Sequence, residues 1–177
     1  KRTYNDALAF QNINLAASSE SEEYVSPPEF NDWNFSQNDS YVHFCQNETI
    51  HGVEYFNTPS IDVPLVVDMS STILSRQVDI SKYGVIYAGA QKNVGPSGLT
   101  ILIVRDDLLD RSRIDTPTTY NWKIQSENDS MINTPTTYSI YMAGLVFEWL
   151  MSCGGLSEIE KLNIKKSKLL YDYIDNS

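Results

Sequence analysis

Three short apolar runs, each bounded by a turn, constrain this chain more than any other feature. Leu65-Val66-Val67 stops at Asp68, and Val85-Ile86-Tyr87-Ala88 leads into Gly89-Ala90-Gln91-Lys92. The third, Leu99-Thr100-Ile101-Leu102-Ile103-Val104, follows the turn Gly95-Pro96-Ser97-Gly98. Apolar runs that do not alternate suit strands covered on both faces, as in a parallel sheet between helices. The third is expected to be a strong buried strand. Tyr41-Val42-His43-Phe44-Cys45 alternates and reads as a further strand. Tyr138 to Ser152 is apolar around most of a helical circumference, which predicts a well-buried helix ended by Gly154-Gly155. Ser157 and Glu160 have capping-box spacing for a second helix. Its expected inner face is Ile159, Leu162, Lys166, Leu169, Leu170, Tyr173 and Ile174. Strands followed by helices indicate an α/β layer fold.

Residues 1–40 differ from the rest. Ser18-Ser19-Glu20-Ser21-Glu22-Glu23 is acidic and Pro27-Pro28 follows, so the segment reads as a polar, irregular connection with little buried surface. Residues 41–177 then form the core. A length of 177 residues suffices for one domain. The net charge of -10 argues against nucleic acid and anionic membrane as partners. No apolar run approaches the about 18 residues of a membrane span. The chain opens Lys1-Arg2-Thr3 with neither Met nor a secretory leader, so a segment upstream is expected. Cys45 and Cys153 lie far apart, match neither a disulfide framework nor a metal site, and point to a reducing cytoplasm.

Three places could carry chemistry. Lys92 follows an apolar strand; a lysine there can have a lowered pKa and form Schiff bases with carbonyl compounds, or can simply snorkel into solvent. Asp68 ends its strand where open α/β sheets bind ligands. It could pair with a protonated ring nitrogen, or cap the backbone of Ser70 or Ser71. In Asn133-Thr134-Pro135, Thr134 sits as an N-cap with Pro135 at the first helical position. Such a start can receive a phosphate, or can be ordinary capping. His43 and His51 have no partners at metal-ligand spacing, and Ser70-Ser71 lacks nucleophile-elbow glycines.

Jointly, these stretches resemble the phosphoserine aminotransferases, of the class-V aminotransferase family. The blocks that carry the resemblance are Tyr41-Val42-His43-Phe44-Cys45-Gln46-Asn47-Glu48-Thr49-Ile50-His51-Gly52-Val53-Glu54, Asp68-Met69-Ser70-Ser71, Ala88-Gly89-Ala90-Gln91-Lys92-Asn93-Val94-Gly95-Pro96 and Asn133-Thr134-Pro135. The resemblance runs from about Trp33 to the end, with residues 1–32 matching poorly.

The resemblance implies the type I fold of pyridoxal-phosphate enzymes, here a partial large domain with a mostly parallel sheet between helices. An N-terminal segment and the small C-terminal domain are expected to be absent. It implies a homodimer using pyridoxal 5'-phosphate. Lys92 would hold the cofactor and shuttle the proton, and Asp68 would pair with the pyridinium nitrogen. Thr49 would bond the phenolic-oxygen side, and Gln91 would help hold the phosphate. Asn133 and Thr134 would serve the neighbouring subunit's cofactor. The implied reaction moves an amino group from L-glutamate to 3-phosphohydroxypyruvate, in serine and in many bacteria also pyridoxine biosynthesis. Anionic substrates call for a local Arg and His cluster, which Arg76, Arg111 and Arg113 do not match by motif. The alternative is a non-catalytic binding module that keeps the ancestral sheet.

Overall fold

The apolar runs become strands of one sheet. The computed structural model describes residues 2–177. Strands β1 (Val42–Cys45), β4 (Leu65–Asp68), β5 (Val85–Gly89) and β6 (Thr100–Val104) lie side by side in the order β1-β4-β5-β6. The short strands β2 (Asn47–Glu48) and β3 (Val53–Glu54) form a separate antiparallel hairpin. β4 pairs parallel with both β1 and β5, whereas β5 and β6 are antiparallel. The helices are α1 (Arg2–Leu8), α2 (Trp122–Glu127), α3 (Thr137–Ser152) and α4 (Gly155–Asp175). This is the α/β architecture with a mostly parallel sheet.

Alternation along the strands separates two faces. Val42, Phe44, Leu65, Val67, Ile86 and Ala88 turn to one side and are buried, Val67 and Ala88 completely. His43, Cys45, Asp68 and Tyr87 share the other side, because the register pairs Cys45 with Asp68 and Asp68 with Tyr87. The apolar side is closed by Met69, Ile73, Ala90 and Val94 from the loops after β4 and β5, and by Ala143 of α3.

Residues 9–41 also contribute to that core, against the expectation of little buried surface. Trp33 is buried, meets Phe44 edge-on at 5.5 Å, and packs with Phe30 and Tyr55. Phe30 and Tyr55 stack at 5.0 Å. Aromatic residues spaced in an otherwise polar stretch supply large apolar area with no periodicity to reveal it.

Three expectations about burial and capping are corrected. β6 is an antiparallel edge strand, with Leu102 and Ile103 40% and 39% exposed, rather than a strand covered on both faces. α3 buries only Ser139, Ala143 and Leu150, a narrow stripe on one side, while Tyr141, Trp149 and Met151 stay open. An all-round apolar helix needs several neighbours to be covered, and the sheet side alone is met here. α4 begins at Gly155, not near Ser157; Gly154 at φ 96° occupies the cap position without a side-chain bond, so the Ser157–Glu160 box is not formed. Of its expected inner face only Ile159 is buried. Among the described residues no single helix is long and apolar enough to cross a membrane.

Leu65 is 3% exposed in the central strand. Leu65→Ala is expected to lower the unfolding free energy by about 2–5 kcal/mol, with the cavity and lost transfer adding together. Urea denaturation measures it, and an unchanged midpoint would contradict this account of the core.

Candidate active site

Parallel neighbours deliver their following loops to the same edge of a sheet, and that edge gathers the polar side chains. The loop after β5 is pinned from inside. Ala90 and Val94 are completely buried. The Ala90 N–H donates to the Leu99 carbonyl at 2.9 Å, and the Gly95 N–H to the Ala90 carbonyl at 2.8 Å. The Asn93 amide donates to the Ile73 carbonyl at 2.7 Å. With Ala90 and Val94 turned inward, Gln91 and Lys92 face outward. Lys92 is exposed, as a lysine that snorkels into solvent would be, so exposure is not its distinguishing feature. Its contact is: Lys92 Nζ donates to Thr49 Oγ1 at 2.8 Å, across 43 residues of sequence.

Thr49 is the first residue beyond β2, in the turn of the β2–β3 hairpin. Glu48 closes that turn by accepting the N–H groups of Ile50 at 3.1 Å and His51 at 2.7 Å. These bonds, the His51 N–H first, hold the Glu48 carboxyl below its ordinary range. His51 is spent locally, its Nδ1 3.1 Å from Glu48 and its ring tilted against Tyr24 at 5.2 Å.

Asp68 ends β4, and one oxygen accepts the Ser70 N–H at 2.8 Å. The capping role anticipated as its alternative is therefore realised. It does not exhaust the residue, because the charge is felt by its neighbours on both strands. Burial, and then the Asp68 charge, push the Tyr87 phenol up to about 12. Burial and Asp68 push the Cys45 thiol up to about 11, while Lys92 draws it down. Cys45 leaves much of its surface open, but its sulfur turns inward to donate to the Asn47 carbonyl at 3.0 Å. One sulfur atom thus lies within electrostatic reach of both Asp68 and Lys92. His43 Nε2 lies 2.9 Å from the Tyr87 hydroxyl, and burial lowers its pKa.

Gln91 occupies space that Gly89 leaves open. A Cβ on Gly89 would lie 2.5 Å from the Gln91 amide oxygen and 2.8 Å from its nitrogen, so any side chain there would push the amide aside. The Gly89 N–H meanwhile donates to Ser70 Oγ at 3.0 Å, joining the loops after β4 and β5.

Thr49, Asp68, Gln91 and Lys92 are thus brought to one edge. Asn133 and Thr134 are not joined to them: both are exposed in the loop before α3, and no hydrogen bond links them to that group among the described residues. Thr134 is not the N-cap. Helix α3 starts at Thr137 with Thr136 in the cap position, two residues later than expected, and Thr136 Oγ1 donates to Ser139 Oγ at 3.1 Å. Each described arginine is paired with a carboxylate of this chain: Arg2 with Asp6, Arg76 with Glu54, Arg105 and Arg111 with Asp107, and Arg113 with Asp115. Sequence reasoning missed the roles of Tyr87 and Cys45 around Asp68; only the strand register, which no local pattern reveals, makes them neighbours.

The family model for class-V aminotransferases matches residues 7–177. The phosphoserine aminotransferase of Herminiimonas arsenicoxydans is 52% identical over 177 residues, covering 99% of this chain and 49% of its own. Among solved structures, that from Bacillus circulans subsp. alkalophilus superposes with a TM-score of 0.95 at 40% identity, covering 98% of this chain and 48% of its own. The pyridoxal-phosphate-bound phosphoserine aminotransferase of Trichomonas vaginalis gives a TM-score of 0.90 at 38% identity, with 98% and 52% covered. The chain therefore spans about half the length of the curated relatives it matches. The similarity reaches through residues 1–32, which were expected to match poorly.

Tyr87 carries a pH consequence. Its folded pKa lies at about 12 against an ordinary 10.0, so the folded protein holds the phenolic proton more tightly than the unfolded chain does. The stabilising contribution is complete below pH 10.0 and is lost as pH rises through about 12. Tyr87→Phe is expected to flatten the alkaline decline in thermal stability across that window, and an identical decline in the variant would refute the assignment.

Proposed function

The chain belongs to the class-V aminotransferase family, and from that premise we propose that it is the cofactor-holding part of a phosphoserine aminotransferase. The observation that carries the reading is the 2.8 Å contact between Lys92 and Thr49, at the edge that also bears Asp68. In the proposed reaction L-glutamate gives its amino group to 3-phosphohydroxypyruvate, yielding O-phospho-L-serine and 2-oxoglutarate. The setting is serine biosynthesis in the cytoplasm, with pyridoxine synthesis through a phosphorylated hydroxythreonine as a second use.

The donor set fits pyridoxal 5'-phosphate. A primary amine, a carboxylate and a hydroxyl on one edge match an aldehyde, a ring nitrogen and a phenolic oxygen. Bound there, the cofactor supplies an electron sink for the charge left when a substrate α-carbon loses its proton. The chain's own groups do the rest. Lys92 Nζ would hold the cofactor at its aldehyde carbon, and as a free amine would take the α-proton and return it, a role suited to an amine of tunable basicity. The Asp68 carboxylate holds the proton of the ring nitrogen, with its second-strand neighbour Tyr87 beside it. Thr49 binds the phenolic oxygen. Gln91 helps hold the phosphate, in the space that Gly89 leaves. Asn133 and Thr134, exposed and away from this chain's own group, serve the cofactor of a second copy, which makes the working unit a homodimer. Arg76 is held by Glu54 in a mostly buried pair and is not offered to a substrate; the rest of the grip on the substrate's carboxylate and phosphate is assigned to the half of the relatives' length that this chain does not span.

Lys92→Ala in the intact protein is expected to remove the visible absorption that wild-type protein acquires with pyridoxal phosphate and that borohydride abolishes. Turnover should fall by at least about 10²- to 10⁴-fold, the range of a lost acid–base group. A variant that keeps the band would sink the reading.

A further inference from the structure

Thr49 stands on a ribbon whose strands are two residues each. Isolated two-stranded ribbons of that kind are marginal in water, so something else must hold Thr49 against Lys92. A continuous run of polar contacts does so. Ser71 Oγ donates to Asn47 at its side-chain oxygen, 2.9 Å, and at its carbonyl, 3.1 Å. The Asn47 amide donates to Glu54 Oε2 at 3.2 Å, across the ribbon. Glu54 Oε1 is paired with Arg76 Nη2 at 3.0 Å, and those side chains are only 21% and 15% exposed. The Arg76 guanidinium also donates to the Phe56 and Tyr55 carbonyls, both at 3.1 Å, and lies over the Phe56 ring at 5.2 Å.

Ser71 and Arg76 both belong to the segment that follows Asp68. One stretch of chain therefore fixes the carboxylate directly and clamps the hairpin from both of its strands. We propose that Arg76 is a positioning residue for the Lys92 site, acting through Glu54 and the hairpin to hold Thr49 against the amine. The inference rests on the reading of Lys92 as the cofactor's anchor and adds to it a residue outside the edge itself. The planar guanidinium fork is what the task needs, since a single ammonium cannot serve a carboxylate and two carbonyls in one plane.

The test uses the intact protein loaded with pyridoxal phosphate, as wild type, Thr49→Val, Arg76→Met and the double variant. The pH midpoint of the lysine-bound cofactor's visible absorption and the unfolding temperature are read for each. Arg76→Met should move the midpoint in the same direction as Thr49→Val, by at least about half a pH unit, or threefold in the ionisation constant. The double variant should move it no further than the larger single change, because residues that act through one another do not add. An Arg76→Met protein that melts earlier but keeps its midpoint, or shifts that sum, would overturn the proposal. Should Arg76→Met not fold, Arg76→Lys and Glu54→Gln make the same comparison, and an unchanged midpoint in both overturns it equally. Absence of any visible band in wild type would strike the cofactor reading instead. The clamp would then be judged by hydrogen exchange of the 47–54 amides, which Arg76→Met must accelerate.

Discussion

The parallel pairing of β4 with β1 on one side and β5 on the other is the constraint on which the site depends. Two adjacent parallel pairs oblige three successive strands to end at the same edge. The residues just past those ends, the 46–49 stretch, the 69–76 loop and the 89–95 turn, have nowhere else to go. Backbone bonds then stitch them together: Gln46 N–H to the Asp68 carbonyl at 3.0 Å, and Met69 N–H to the Tyr87 carbonyl at 2.9 Å. A carboxylate and an amine 24 positions apart become neighbours of one thiol without any long-range side-chain contact having to find them. This is the general economy of open α/β sheets, where chemistry collects beyond the carboxyl ends of strands.

Charge works locally here rather than globally. The chain's net charge of -10 would repel an anionic ligand at long range. At the edge, burial lowers the His43 imidazole and raises the Cys45 thiol and the Tyr87 phenol, and the single charge of Asp68 acts on all three.

Much of this was legible in the sequence, and the exceptions have physical causes. Leu65–Asp68 and Val85–Gly89 were visible as strands because apolar runs flanked by turns have few alternatives. Lys92 and Asp68 stood out by position, and the block around Thr49 by resemblance. What stayed hidden is what depends on the third dimension. The burial of Trp33 arises from aromatic contacts with no period. The exposure of α3 and β6 could not be read from hydrophobicity, since an apolar residue is covered only if something comes to lie on it. The contact between Lys92 and Thr49 spans 43 positions, and the clamp from Arg76 to Glu54 reverses the natural reading of an arginine with no motif as a surface residue. The start of α3 moved because Thr136, not Thr134, has the geometry to precede the first turn.

Two glycines at the junction of α3 and α4 set the direction in which the second helix runs. Gly154 and Gly155 both have positive φ, 96° and 75°, and the helices on either side are bent by 84°. α4 is fastened only near that bend, by buried Ile159 and by the Asn163 amide on the Ser75 carbonyl at 2.9 Å. From residue 164 onward every side chain is exposed. At about 1.5 Å rise per residue the helix is roughly 30 Å long. The direction in which α4 leaves α3 is therefore set at one glycine bend, and Ile159 and the Asn163 bond hold its first turns against the loop that carries Ser75.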